Sequence, residues 1–218
     1  MNPTVSPPQG LSRGIRLAAW VCLVLSAFTG FFALQETLKL GHLAELRDQA
    51  NNVARFSKDA DLIAFARVSE AELAALEPMR DSRSLVLGSL SVVCAFAFVS
   101  SGRLLRPGGV SLERARRLLS GASIAAAVLR TIDGAQLSVV AQRMGPALAQ
   151  FISTRPAYHE VETAAQLEAG MSWLASLTMM GLTALIAGTF ALLGQYFRSE
   201  HVRQTIIAQS GDLAEEED

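Results

Sequence analysis

The sequence predicts an all-α integral membrane protein, a bundle of four membrane-spanning helices with helical extensions outside the membrane. Half of its 218 residues are apolar, the mean hydropathy is +0.31, and only 18% of the residues are charged. The charges are also segregated, and they leave four windows free of Lys, Arg, Asp and Glu, at 17–35, 84–102, 118–129 and 169–197. A helix that crosses a hydrocarbon core of about 30 Å needs about 20 apolar residues. All the windows except 118–129 approach or exceed that length.

The distribution of arginines predicts the orientation of the spans. Segment 103–117 is a short turn that contains five arginines and one acid, Glu113, and such basic segments stay in the cytoplasm. Further arginines precede the first window and follow the last one. Four spans place all of these arginines on the cytoplasmic side, whereas three spans do not. We therefore expect a bacterial-type inner (plasma) membrane protein with both termini in the cytoplasm.

The windows and the charges together divide the chain into nine segments. They are a disordered N-terminus (1–14), a first span (15–38), an outer helical segment (39–83), a second span (84–102), the Arg-rich turn (103–117), a third span with its extension (118–141), a second outer helical segment (142–168), a fourth span (169–197) and a cytoplasmic acidic tail (198–218). The acidic run at 212–218 is typical of a solvated, disordered tail, or of one that binds a basic partner.

Apolar spacing predicts helices in the outer segments. An outer helix seam, formed by Leu43, Leu46, Ala50 and Val53, has the a/d spacing of a coiled coil and extends the first span. Ser69 and Glu72 have the spacing of a capping box that opens a short helix, and Pro78 is expected to end it. Gly145 and Pro146 are expected to interrupt the apolar stripe of the second outer segment.

Small residues one helical turn apart predict packing faces on three spans. The pairs are Ser26 with Gly30, Gly121 with Ala125, and Ala184 with Gly188. In lipid, small residues at this spacing let helix backbones approach closely. The partner is either another helix of this chain or a helix of another protein.

The short third window suggests a charged site. Its helix must continue past Arg130 to cross the membrane, and a span at 118–141 places Arg130 near mid-membrane with Asp133 one turn on. A charge at the bilayer centre costs about 2.5–3.5 kcal/mol even on insertion scales, so it is usually paired. Arg130 and Asp133 are therefore either a pair that faces the bundle and lines an ion or anion path, or surface groups that reach the outer headgroups and water.

Two His-x-x-Glu spacings, His42 with Glu45 and His159 with Glu162, place a histidine and a carboxylate on one helix face. If the two faces met, they would form a four-ligand metal site. The alternative is that all four are solvated surface residues.

No Walker A loop, nucleophile elbow, HExxH or CxxC motif occurs in the sequence, so we expect neither catalysis nor a cofactor. A net charge of −1 does not favour nucleic acid as a partner. The leading hypothesis is a non-catalytic protein that acts in the lipid bilayer by association, as a scaffold, an accessory subunit of other membrane subunits, or a homo-oligomer. The alternatives are a channel or small-solute transporter that uses Arg130 and Asp133, and a sensor with an outer helical cap that binds a ligand.

Overall fold

The protein is almost entirely helical. A computed structural model describes residues 12–106, 112–153 and 164–215, and no β-strand occurs among them. The helices are α1 (Arg13–Gly41), α2 (Leu43–Phe56), α3 (Ala60–Leu76), α4 (Arg80–Leu105), α5 (Leu112–Ser153), α6 (Ala164–Arg198) and α7 (Glu200–Glu215). A 3₁₀ turn, Glu77–Met79, joins α3 to α4. The all-α prediction is confirmed.

Four helical stretches are long and apolar enough to cross a membrane: Arg13–Gly41, Asp61–Leu105, Leu112–Ile152 and Ala169–Arg198. Each contains one of the four charge-free windows. No more than 33% of the most apolar window in any stretch is buried inside the protein. The outward faces carry large apolar side chains such as Phe28, Leu85 and Leu192. Such a surface is typical of helices that contact lipid.

The chain divides into two compact units. The first comprises the described parts of Met1–Ala33, Ser89–Val128 and Ile186–Asp218. Its buried core consists of Ile15, Ala19, Cys22, Ala97, Leu104, Ala115, Leu119, Leu193, Phe197, Val202 and Ile206. Val202 and Ile206 belong to α7, where their spacing of four places both side chains on one helix face. The structure thus adds a packed helix to the segment that the sequence analysis treated only as an acidic tail.

The second unit comprises Leu34–Gly88 and Leu129–Leu185. Within it, α2 packs against α3. Asp59 caps α3 by accepting a hydrogen bond from the Asp61 N–H at 2.9 Å, so Ser69 and Glu72 lie inside the helix. The prediction that Ser69 and Glu72 begin a helix is wrong because a stronger cap occurs ten residues earlier. Pro78 falls in the 3₁₀ turn, and α4 begins two residues later.

Helix α5 is continuous from Leu112 to Ser153. It therefore runs past Arg130, as the short third window required. It also runs through Gly145 and Pro146, so the expected interruption there is wrong. A Cβ at Gly145 would overlap the Ser172 side chain. Gly145 therefore lies at a close contact between α5 and α6, next to a proline that usually disfavours a helix interior.

Candidate functional site

The second unit contains a buried cluster of three charged side chains, Arg83, Arg130 and Asp133. Asp133 is 0% exposed and Arg83 is 1% exposed, while the side chain of Arg130 keeps 15% of its surface. Arg83 Nη2 lies 3.2 Å from Asp133 Oδ1, an ion pair without hydrogen-bond geometry. Arg130 Nη1 donates a hydrogen bond to Asp133 Oδ2. One carboxylate from α5 therefore holds two guanidinium groups, one from α4 and one from its own helix.

Local helix geometry brings Arg130 and Asp133 together. They lie three residues apart on the unbroken α5, so their side chains share a face. Asp133 is followed by Gly134, where a Cβ would overlap the side chain of Thr183 on α6. The missing side chain at Gly134 lets α6 approach α5 beside the carboxylate.

The cluster does not satisfy all of its own hydrogen-bonding groups. Arg83 Nε, Arg83 Nη1 and Arg130 Nε are buried donors without a hydrogen-bond partner among the described residues. Asp133 Oδ1 and Gln136 Oε1 are buried acceptors without a hydrogen-bond partner among these residues, and the hydroxyl groups of Ser176 and Thr183 on α6 are also buried and unpaired. Buried polar groups are usually hydrogen-bonded, so the unpaired donors of Arg83 and Arg130 are notable.

Arg83 is the member of the cluster that the sequence analysis missed. It immediately precedes the charge-free window at 84–102, where it was counted as the last residue of the outer segment. The signal was an arginine adjacent to an apolar span, at the end of the charged segment 80–83. The sequence did not show that its side chain faces a carboxylate on α5.

The outer helix seam lines a cavity of about 370 Å³ in the second unit. Leu43, Leu46, Ala50 and Val53 form one side of it, and Phe65, Ala66, Ser69, Glu72, Leu73 and Leu76 of α3 form the other. Glu36, Lys39 and Leu40 at the end of α1 contribute as well. Leu43 is buried, whereas Val53 and Phe65 are exposed. The seam thus packs partly against α3 and leaves an apolar groove between the two helices.

The predicted packing residues have different environments. Ser26 is buried and donates to the Leu23 carbonyl oxygen at 3.1 Å, and a Cβ at Gly30 would lie 2.9 Å from Cys94 Cβ on α4. By contrast, a Cβ at Gly121 or Gly188 would meet no heavy atom of the described chain within 4 Å. Ala125 is half-buried and Ala184 is exposed.

The contact between α5 and α6 in the first unit uses residues that the sequence analysis did not select. Ser120 Oγ donates to the Gly194 carbonyl oxygen at 2.8 Å. A Cβ at Gly194 would lie 2.7 Å from Ile124 Cγ1. Gly194 is one of several small residues on α6, so the spacing rule that selected Gly188 did not single it out.

The proposed metal ligands are only partly described. His42 Nδ1 lies 3.2 Å from Glu45 Oε2, and both side chains are well exposed, at 64% and 75%. His159 and Glu162 lie outside the described residues. Within the described ranges, no group of three or more His, Cys, Asp or Glu side chains is placed to hold a metal ion.

Comparisons of the chain with protein-family models, with curated proteins and with solved structures find no match. Function therefore has to be inferred from the residues themselves.

Proposed function

We propose that the chain is a non-catalytic, multi-pass protein of a bacterial-type inner (plasma) membrane that acts by association, as a scaffold, an accessory subunit or a homo-oligomer. Four helices of sufficient length with lipid-type outward faces support the membrane location. The arginines of 103–117, together with those before α1 and after α6, support cytoplasmic termini.

The unoccupied small-residue face of α6 carries the association proposal. Gly30, Gly134, Gly145 and Gly194 all lie where another helix of the chain leaves no room for a Cβ. Ala184 and Gly188 differ, because Ala184 is exposed and a Cβ at Gly188 would meet nothing described within 4 Å. Close packing on such a face is a principal source of helix association in lipid. Gly188 is half-buried and Ala184 is exposed, so this face leaves room for a helix of a second protein beside them.

The groove between α2 and α3 supports the same proposal outside the membrane. Its seam residues are apolar at a/d spacing, and Phe65 at its edge is 63% exposed. Apolar surface of this kind, away from the apolar windows of the spans, is typical of an interaction site. We assign the groove between α2 and α3 to the same association with a second protein.

Native mass spectrometry of the full chain, purified in a mild detergent, tests the proposal. We expect a defined homo-oligomer or a stoichiometric complex with another membrane subunit. Replacing Gly188 by Leu fills the unoccupied face, so Gly188→Leu should dissociate the assembly. Gly88→Leu is the matched control, because a Cβ at Gly88 also meets nothing within 4 Å but lies on α4, which carries no predicted packing pair.

A second pair of variants tests the groove. Phe65→Glu places a charge at its edge and should weaken the assembly. Phe56→Glu places the same charge at an 81% exposed position of α2 that does not line the groove, and it should leave the assembly intact. A wild-type chain that is monomeric and free of any stoichiometric partner overturns the association proposal.

Burial of the charged cluster favours one alternative, a channel or small-solute transporter that uses Arg130 and Asp133. Flux through proteoliposomes that is abolished by Asp133→Asn, in protein that keeps the helical content of the wild type, would support transport over association. The size of the groove favours the other alternative, a sensor, because ligand sites usually enclose about 300–1,000 Å³ and this one encloses about 370 Å³. A small-molecule adduct in the native mass spectrum, lost in Phe65→Glu, would support that function.

A further inference from the structure

The buried cluster carries an excess positive charge. Arg83 and Arg130 are both cationic, because an arginine side chain is not deprotonated in proteins. Asp133 supplies the one negative charge that both guanidinium groups contact. The cluster therefore has a net charge of +1 when Asp133 is ionised, although Arg83 and Asp133 are removed from solvent.

No further carboxylate in contact with the cluster neutralises this charge among the described residues. Glu36, at the end of α1 in the same unit, lies within electrostatic range of Asp133 but does not contact the cluster, and its carboxylate is paired with Lys39 at 3.1 Å. Glu77 is paired with Arg47 at 3.0 Å. A buried charge without a counter-ion in contact is unfavourable, so the cluster is suited to bind a further anion.

The unpaired atoms of the three side chains are mostly N–H donors, and the one unpaired acceptor, Asp133 Oδ1, lies against Arg83 Nη2. Arg83 Nε and Nη1 and Arg130 Nε are N–H donors without partners, and a guanidinium presents such donors in a fork that matches the oxygens of a phosphate or carboxylate. The Thr183 hydroxyl group on α6 is also buried and unpaired. Thr183 packs against α5 at Gly134, the residue after Asp133.

We propose that Arg83 and Arg130, held by Asp133, form a binding site for a phosphate group. Asp133 orients the two guanidinium groups and leaves their remaining donors for the anion. The side chain of Arg130, which keeps 15% of its surface, forms the exposed edge of the site. This proposal is independent of the association proposed above.

The phosphate can come from a lipid headgroup or from solution. Arg83 and Arg103 lie on the same continuous helix, and the 20 residues that separate them rise about 30 Å. This equals the thickness of a hydrocarbon core. If Arg103 lies at the cytoplasmic boundary, Arg83 and Asp133 lie at the outer boundary, where lipid phosphates are found. A headgroup phosphate and free inorganic phosphate present the same oxygens to the arginines.

Thermal unfolding of the full chain distinguishes the two sources. The protein is delipidated in a non-ionic, phosphate-free detergent and titrated with sodium phosphate at constant ionic strength, or with phosphatidylglycerol. A rise in melting temperature with phosphate identifies a free oxyanion site. A rise with phosphatidylglycerol alone, together with one retained phospholipid per chain in the native mass spectrum, identifies a lipid headgroup site. No rise in either titration overturns the proposal, and this result needs no variant.

Three variants test which residues bind the anion. Arg83→Met leaves a neutral Arg130–Asp133 pair, so it should weaken phosphate or lipid binding at least tenfold. Arg83→Lys keeps the charge but not the fork, and it should retain only part of the affinity. Arg203→Met removes an arginine with an exposed ion pair and should leave binding unchanged. Equal binding by wild type and Arg83→Met would assign the anion to another site and overturn the proposal.

Discussion

Arg83 Nη2 on α4 lies 3.2 Å from Asp133 Oδ1 on α5, and the two side chains are 2% and 1% exposed. Asp133 also accepts a hydrogen bond from Arg130. Breaking a buried ion pair usually costs far more than the pair contributes, because it leaves a buried charge without its partner. Removal of Asp133 leaves two such charges, whereas removal of Arg83 leaves a neutral pair.

We therefore expect Asp133→Asn to reduce the free energy of unfolding by about 3–5 kcal/mol. Arg83→Met should cost clearly less, measured in the same detergent without phosphate. Glu200→Gln, which breaks the exposed pair with Arg203, is the control and should cost at most about 1 kcal/mol. Equal losses of unfolding free energy for Asp133→Asn and Arg83→Met would show that the protein in solution does not bury the excess charge of the cluster.

The sequence predicted part of this cluster, for a physical reason. Arg130 and Asp133 are close in sequence, and helical periodicity places residues three apart on one face. The contact with Arg83 is between helices, and it depends on how α4 and α5 pack. No spacing rule encodes that packing, so an arginine beside an apolar span gave no indication of its partner.

A second buried arginine gives a test in the first unit. Arg116 donates from Nε and Nη2 to the Glu113 carboxylate at 2.7 and 2.8 Å, and from Nη1 to the Phe197 carbonyl oxygen. Lysine cannot form this fork, so Arg116→Lys should destabilise the protein by about 1–3 kcal/mol, the usual cost of unsatisfied buried groups. Arg117→Lys is the control, because Arg117 also pairs with Glu113 but its side chain is 69% exposed. Similar melting temperatures for both variants would contradict this role.

The fold was predictable where long apolar windows determine it. All four windows lie in helices, because length and hydropathy are properties of the segment alone. The errors concern local signals that neighbouring structure overrides. Pro146 lies inside α5, and the Ser69–Glu72 spacing lies inside α3. Helix α7 was overlooked because its buried face rests on Val202 and Ile206 within an otherwise polar segment.

Adjacent isoleucines of α7 test whether this helix belongs to the core. Ile206 is 0% exposed and Ile207 is 48% exposed. Truncation of a buried isoleucine removes its packing and leaves a cavity, so Ile206→Ala should cost about 2–5 kcal/mol in the free energy of unfolding. Ile207→Ala should change it much less. Equal, small effects in thermal unfolding would show that α7 does not pack on the first unit.

Gly30 tests the close contact between α1 and α4. A Cβ there would lie 2.9 Å from Cys94 Cβ, and neither atom can move without a backbone shift. We expect Gly30→Ala to destabilise the protein by about 1–3 kcal/mol through overpacking. Gly88→Ala is the matched control, because its Cβ meets no described atom within 4 Å and alanine has the higher helix propensity. A Gly30→Ala protein at least as stable as the wild type would contradict the contact.

Thiol labelling tests the proposed orientation. The native Cys22 and Cys94 are buried and should react slowly with a membrane-impermeant maleimide, so their background labelling should be low. Lys58 lies between α2 and α3, and Arg106 follows α4 at the beginning of the Arg-rich turn; both side chains are exposed. Positive charge retains 103–117 in the cytoplasm. Lys58→Cys should therefore be labelled in intact spheroplasts, whereas Arg106→Cys should be labelled only after lysis. The reverse pattern would invert the topology, and labelling of both positions before lysis would exclude an odd number of spans between them.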